Sequence, residues 1–120
     1  MKLIIVFLVS IVSLFAEKQE NSNTLVCEVL GEESKRIECT FFTQRMNYDR
    51  NITFEWKSPS LSEDNRKRKM ILSAYHGSLY DYRYYYGRSP GEWHVCIKSA
   101  DAKLAETSFV IQEHDDEKEY

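Results

Sequence analysis

Between Leu79 and Lys98 the chain reads Leu-Tyr-Asp-Tyr-Arg-Tyr-Tyr-Tyr-Gly-Arg-Ser-Pro-Gly-Glu-Trp-His-Val-Cys-Ile-Lys, and five of its eight tyrosines fall between Tyr80 and Tyr86. In an extended strand successive side chains alternate, so Tyr80, Tyr82, Tyr84 and Tyr86 share one face while Asp81, Arg83 and Tyr85 take the other. Rings spaced this way form a platform for a sugar ring or a partner protein, because tyrosine supplies rigid amphipathic contact area. Arginines beside such a platform orient an anionic or carbonyl-rich partner. The expected partner-binding set is therefore Tyr80, Tyr82, Arg83, Tyr84, Tyr86 and Arg88. A structural alternative has two or three of these rings filling the edge of the core and the rest covering the sheet.

The three cysteines are the next reactive groups. If the turn after Leu30 is centred near Glu33, positions 27 and 39 sit opposite each other on paired strands, and a Cys27–Cys39 disulfide becomes possible. Closing so short a loop adds about 2–3 kcal/mol in the chain-entropy picture. Cys96 is left over as a possible free thiol. His94 lies two residues away on the same face, where it would lower the thiol pKa and allow redox or covalent-capture chemistry. The alternatives are a packed inert thiol or a bridge to Cys27 or Cys39 instead.

Other candidates are weaker. Arg66-Lys67-Arg68-Lys69 is the one dense basic run; it reads either as a solvated loop flank or as a contact for a membrane surface, an acidic polysaccharide or the chain's own acidic tail. Asn51-Ile52-Thr53 fits the N-glycosylation acceptor pattern, which matters only in a eukaryote or one of its viruses. His76, His94 and His114 have no ligand spacing, so no metal site is expected. Paired carboxylates, a glycine-rich phosphate loop and a nucleophile triad are all missing from the sequence, so neither an enzyme nor a cofactor is expected.

The elements that must position these groups alternate with period two from Thr24 onward. Expected strands are 24–30, 36–43, 51–57, 69–76, 79–86, 92–98 and 106–112, separated by turn signals such as Gly31, Pro59, Gly77 and the Pro90-Gly91 pair. The stretch 61–69 holds one helical turn at most. Seven short strands with such spacing predict an all-β chain, an antiparallel sandwich of immunoglobulin type, with Trp56 and Trp93 between its sheets.

At the start, Met1-Lys2, an apolar run from Leu3 to Val12 and a small residue at Ala16 lay out a cleaved secretory signal peptide over residues 1–16. An uncleaved anchor is the alternative. Residues 17–23 read as a polar leader, 24–112 as one small domain and 113–120 as an acidic tail. The whole chain carries a formal charge of −3, and the five acids of the tail against Lys118 leave residues 17–112 neutral. A neutral body speaks against nucleic acid as partner, since phosphate affinity needs a basic surface.

Three patterns together resemble a known architecture: Ile52-Thr53-Phe54-Glu55-Trp56, Pro90-Gly91-Glu92-Trp93-His94-Val95, and Asp101-Ala102-Lys103-Leu104-Ala105-Glu106 with a closing Phe109-Val110-Ile111. Over residues 51–112 the chain is similar to small exported bacterial β-sandwich domains of immunoglobulin-like type. It departs from antibody domains in lacking their cysteine, tryptophan, cysteine order. The resemblance implies a fold and a periplasmic or secreted location, and no chemistry. The resulting expectation is an exported, non-catalytic binding or accessory module that takes a protein or saccharide partner on its tyrosine strand. The alternatives are a secreted, glycosylated effector of a parasite or virus that engages a host protein, and a thiol protein built on Cys96. Oligomeric state is not legible.

Overall fold

Alternation of apolar and polar residues becomes seven strands in the computed structural model, which describes residues 22–112. They are β1 (Thr24–Leu30), β2 (Arg36–Phe42), β3 (Arg50–Lys57), β4 (Arg66–Leu72), β5 (Ser78–Tyr84), β6 (Gly91–Ser99) and β7 (Ala102–Ile111), with a short 3₁₀ turn at Ser62–Asp64. The proposed signal peptide, most of the leader and the acidic tail lie outside the described residues. Two antiparallel sheets form, a three-stranded one ordered β1-β2-β5 and a four-stranded one ordered β4-β3-β6-β7. The expected all-β, seven-stranded antiparallel sandwich is the architecture observed. Within it β4 pairs with β3, whereas the fourth strand of constant-type immunoglobulin domains joins the opposite sheet. The edges β4 and β5 therefore face each other across one side of the sandwich.

The core lies between the sheets. Trp56, Trp93, Phe41, Phe54, Ile37, Ile52, Leu72, Val95 and Ile97 are fully buried, each at the inward phase of its strand. Trp93 stacks on Phe109 with ring centroids 6.1 Å apart, and Trp56 meets the same ring edge-on at 6.2 Å. These offset and edge contacts add to the area that the rings bury.

Cys27 pairs directly with Cys39 in the β1–β2 register, and the two form a disulfide with Cα atoms 4.0 Å apart. The bridge joins neighbouring strands of one sheet rather than the two sheets.

Three expected strands have a boundary that moves by two residues or more. The strand expected over 69–76 is β4 at Arg66–Leu72, so the basic run is strand and not loop. It holds because Arg66 and Arg68 reach a buried carboxylate on β5 while Lys67 and Lys69 point to water. The tyrosine strand ends at Tyr84 rather than Tyr86: the Tyr85 N–H donates to Lys35 O at 2.9 Å, and Gly87, at φ +96°, turns the chain away. The closing strand starts at Ala102, four residues earlier than 106, because a tight turn through Ala100, at φ +56°, returns the chain at once.

Candidate functional site

On β5 the alternation gives two faces of opposite character. Tyr80, Tyr82 and Tyr84 point outward with 54%, 37% and 59% of their surface exposed, whereas Asp81 and Arg83 point inward at 2% and 9%. The outward rings continue onto β2 through the register pairs Thr40 with Tyr80, Glu38 with Tyr82 and Arg36 with Tyr84. Arg36 lies over the Tyr82 ring at 5.7 Å, and the Tyr82 and Tyr84 rings meet edge-to-face at 5.8 Å. Together with Ser34 these side chains line a shallow depression of about 230 Å³. Tyr86 is half exposed beyond the end of the strand and contacts Tyr85 edge-on at 5.6 Å.

The inward face carries charge into the sandwich, and each charge is matched. Asp81 accepts from the Trp56 indole N–H at 2.9 Å, from Arg66 Nη2 through both oxygens at 2.9 and 3.0 Å, from Arg68 Nη1 at 3.3 Å and from the Tyr82 N–H at 2.9 Å. A second node forms around Asp64, at the end of the 3₁₀ turn. Its carboxylate accepts from Arg83 Nη2 at 3.3 Å, Arg88 Nη1 at 2.7 Å, the Ser89 N–H at 2.9 Å and Ser89 Oγ at 3.2 Å, and its backbone oxygen accepts from Arg83 Nη1 at 2.7 Å. The Arg83 guanidinium sits between the two tryptophans, 5.5 Å from the Trp93 ring and 5.8 Å from that of Trp56. Burial lowers the Arg83 pKa to about 10, helped by repulsion from Arg88 and Arg66 and opposed by Asp64 and Asp81, so it is still charged at neutral pH. A buried unpaired cation is costly, and this arrangement avoids one.

Two members of the expected partner-binding set therefore change role. Arg83 is a core residue, because its inward phase takes it beneath Trp56 and Trp93. Arg88 remains partly accessible but is held by Asp64. Sequence reading overlooked Arg66, Arg68, Asp64 and Asp81 as one constellation. The signal was present in part: Asp81 and Arg83 share the inward phase with Tyr85, and an inward charge must be paired.

Cys96 is a free thiol, as expected, on the face opposite Trp93, Val95 and Ile97. Its pKa is raised, first by burial, with Glu55 and Glu106 adding to the shift and Lys98 and Lys103 opposing it. The activation expected from His94 is not what the surroundings provide. Asn51 is exposed on β3. Among the described residues no group of His, Cys, Asp and Glu is placed to hold a metal ion, and no helix is long and apolar enough to cross a membrane.

No family model and no curated protein matches the chain. Among solved structures it is similar to two crystal structures of the β-glucosidase from Kluyveromyces marxianus, one in complex with glucose and one labelled with selenomethionine. Identities are 9% and 10% and TM-scores 0.45 and 0.43. Each match covers 76% of this chain but 14% and 15% of the enzyme, so this chain spans about one seventh of the length of the proteins it matches.

Proposed function

We propose that this protein is an exported, non-catalytic binding module, periplasmic or secreted, that takes a protein or saccharide partner on the outer face of β5 and β2. Its kinship, in this reading, is with the small exported immunoglobulin-like domains that its sequence resembles. The observation that carries it is the row Tyr80, Tyr82 and Tyr84, exposed and outward on an edge strand with Arg36 laid across it. Tyrosines so placed offer contact area at low entropic cost, and none is needed to fill the core. The Cys27–Cys39 disulfide supports export, since such bonds persist in oxidising compartments.

The test is capture of a partner from native extract by the purified protein and by a Tyr82→Ser, Tyr84→Ser variant. Capture should be lost in the variant while its unfolding midpoint stays near that of the parent, because Tyr84 is 59% exposed, Tyr82 is 37% exposed, and neither belongs to the core. Equal capture by two well-folded proteins would remove the reading.

A second reading, a glycosylated effector of a parasite or virus that engages a host protein, draws on the exposed Asn51 of the Asn-Ile-Thr sequence. A glycan found at Asn51 on protein from the native source would favour it. The thiol reading is not carried further, because burial raises the Cys96 pKa.

A further inference from the structure

Beside the tyrosine face, where the edges of β4 and β5 meet, a cleft of about 230 Å³ is lined by Arg66, Arg68, Tyr82, Arg83, Tyr84 and Arg88. Its four guanidinium groups are paired with two carboxylates, Asp64 and Asp81, neither of which lines it, and this leaves an excess of two positive charges. The carboxylates are spent inward: Asp81 accepts five hydrogen bonds and the side chain of Asp64 four. The arginines are not. Among the described residues, hydrogen bonds engage a single nitrogen on each of Arg66, Arg68 and Arg88, although a guanidinium carries five N–H donors. The Nε–H groups of Arg66 and Arg88 are buried with no acceptor among the described residues, a cost that a native site ordinarily relieves.

We infer that this cleft is a binding site for a tetrahedral oxyanion, a sulfate or phosphate ester group carried by the partner. Such a group offers several acceptor oxygens at once, and forked guanidinium donors match them better than ammonium groups do. Tyr82 and Tyr84 belong to both the cleft and the outward platform, so the anion would sit at the margin of the area that the partner's body covers. The inference deepens the docking reading and rests on it for the identity of the ligand's carrier, but the anion site itself can be read without a partner.

The probes are inorganic sulfate and inorganic phosphate, titrated separately into the purified protein at constant ionic strength. Binding is followed by the fluorescence of Trp56 and Trp93, which adjoin Arg66 and Arg83. Saturable binding of either ion is expected, and the better ion names the source of the ester. Arg68→Gln should weaken it by about tenfold, the loss of one charge-assisted contact. This variant keeps its fold, because Arg68 is half exposed and Asp81 retains Arg66, Trp56 and the Tyr82 N–H. Lys69→Gln, one residue along β4 on the outward phase, should bind as the parent does. No saturable binding, an unaffected Arg68→Gln variant, or an equal loss in Lys69→Gln would each overturn the site, the last by showing only diffuse attraction. Saturable binding of an ion, combined with partner capture that survives Tyr82→Ser, Tyr84→Ser, would sink the docking face and leave the anion site standing. The opposite pair of results would sink the anion site alone.

Discussion

Asp81 does the most at the scale of single residues. With its side chain 1% exposed it holds Arg66 and Arg68 from the facing sheet and gives the buried Trp56 indole its only hydrogen-bond acceptor among the described residues. One carboxylate thus ties β5 to β4 and fixes a central core ring. A buried ion pair is no net bonus over well-packed apolar groups, yet removing one partner strands the other. Asp81→Asn keeps the size and removes the charge, leaving two arginines facing a neutral amide. We expect a loss of about 3 kcal/mol in urea unfolding, at the low end for a broken buried pair because Arg66 and Arg68 still reach water. Tyr80→Ser on the opposite face of the same strand should cost much less, within about 0.5–1 kcal/mol. Similar midpoints for the two variants would show that the Asp81 network is decoration rather than structure.

At the scale of elements, β4 shows how an edge strand can begin as an unbroken basic run. Lys67 and Lys69 point to water, and such lysines keep the strand edge from pairing with another chain. Lys69→Val would lengthen the exposed apolar stripe that Ile71 begins, and it should promote concentration-dependent aggregation visible by light scattering with little change in the unfolding midpoint. A variant that stays monomeric at high concentration would assign edge protection to something other than this lysine. Strand β4 is also where sequence reading placed the boundary wrongly. Strand signals look for apolar alternation, and Arg66-Lys67-Arg68-Lys69 offers none, so the run looked like a loop until its arginines met Asp81 across the sandwich. Where alternation was apolar, as in Ile52, Phe54 and Trp56, or Trp93, Val95 and Ile97, both the strand and its buried face were legible. The Cys27–Cys39 register was legible for the same reason, a short turn between two alternating runs. The outward tyrosines followed from parity alone, but the arginine cleft did not, because it depends on β4 and β5 facing each other, and that topology leaves no local trace.

For the whole molecule, the sandwich is closed differently on its two sides. Strands β1 and β7 come together on one side, and the Asp81 and Asp64 nodes lock β4 and β5 on the other. The disulfide belongs to the first side: it fastens β1, which among the described strands is hydrogen-bonded in the sheet only to β2, to the strand at the sheet's centre. A loop that spans 12 residues restrains the unfolded chain by about 3 kcal/mol at most, less than an aromatic core can lose before a domain falls apart. Reduction should therefore lower stability by about 2–3 kcal/mol without unfolding the protein, a shift to be read as a lower urea midpoint in reductant. Because β5 is the opposite edge of that sheet and is anchored by Asp81 rather than by the cysteines, the proposed docking on β5 predicts that partner capture survives reduction. Unfolding on reduction alone would mean that the ionic side cannot hold the sandwich together. Capture lost from a reduced but folded protein would move the docking surface towards β1, where Val26 and Val29 are also exposed.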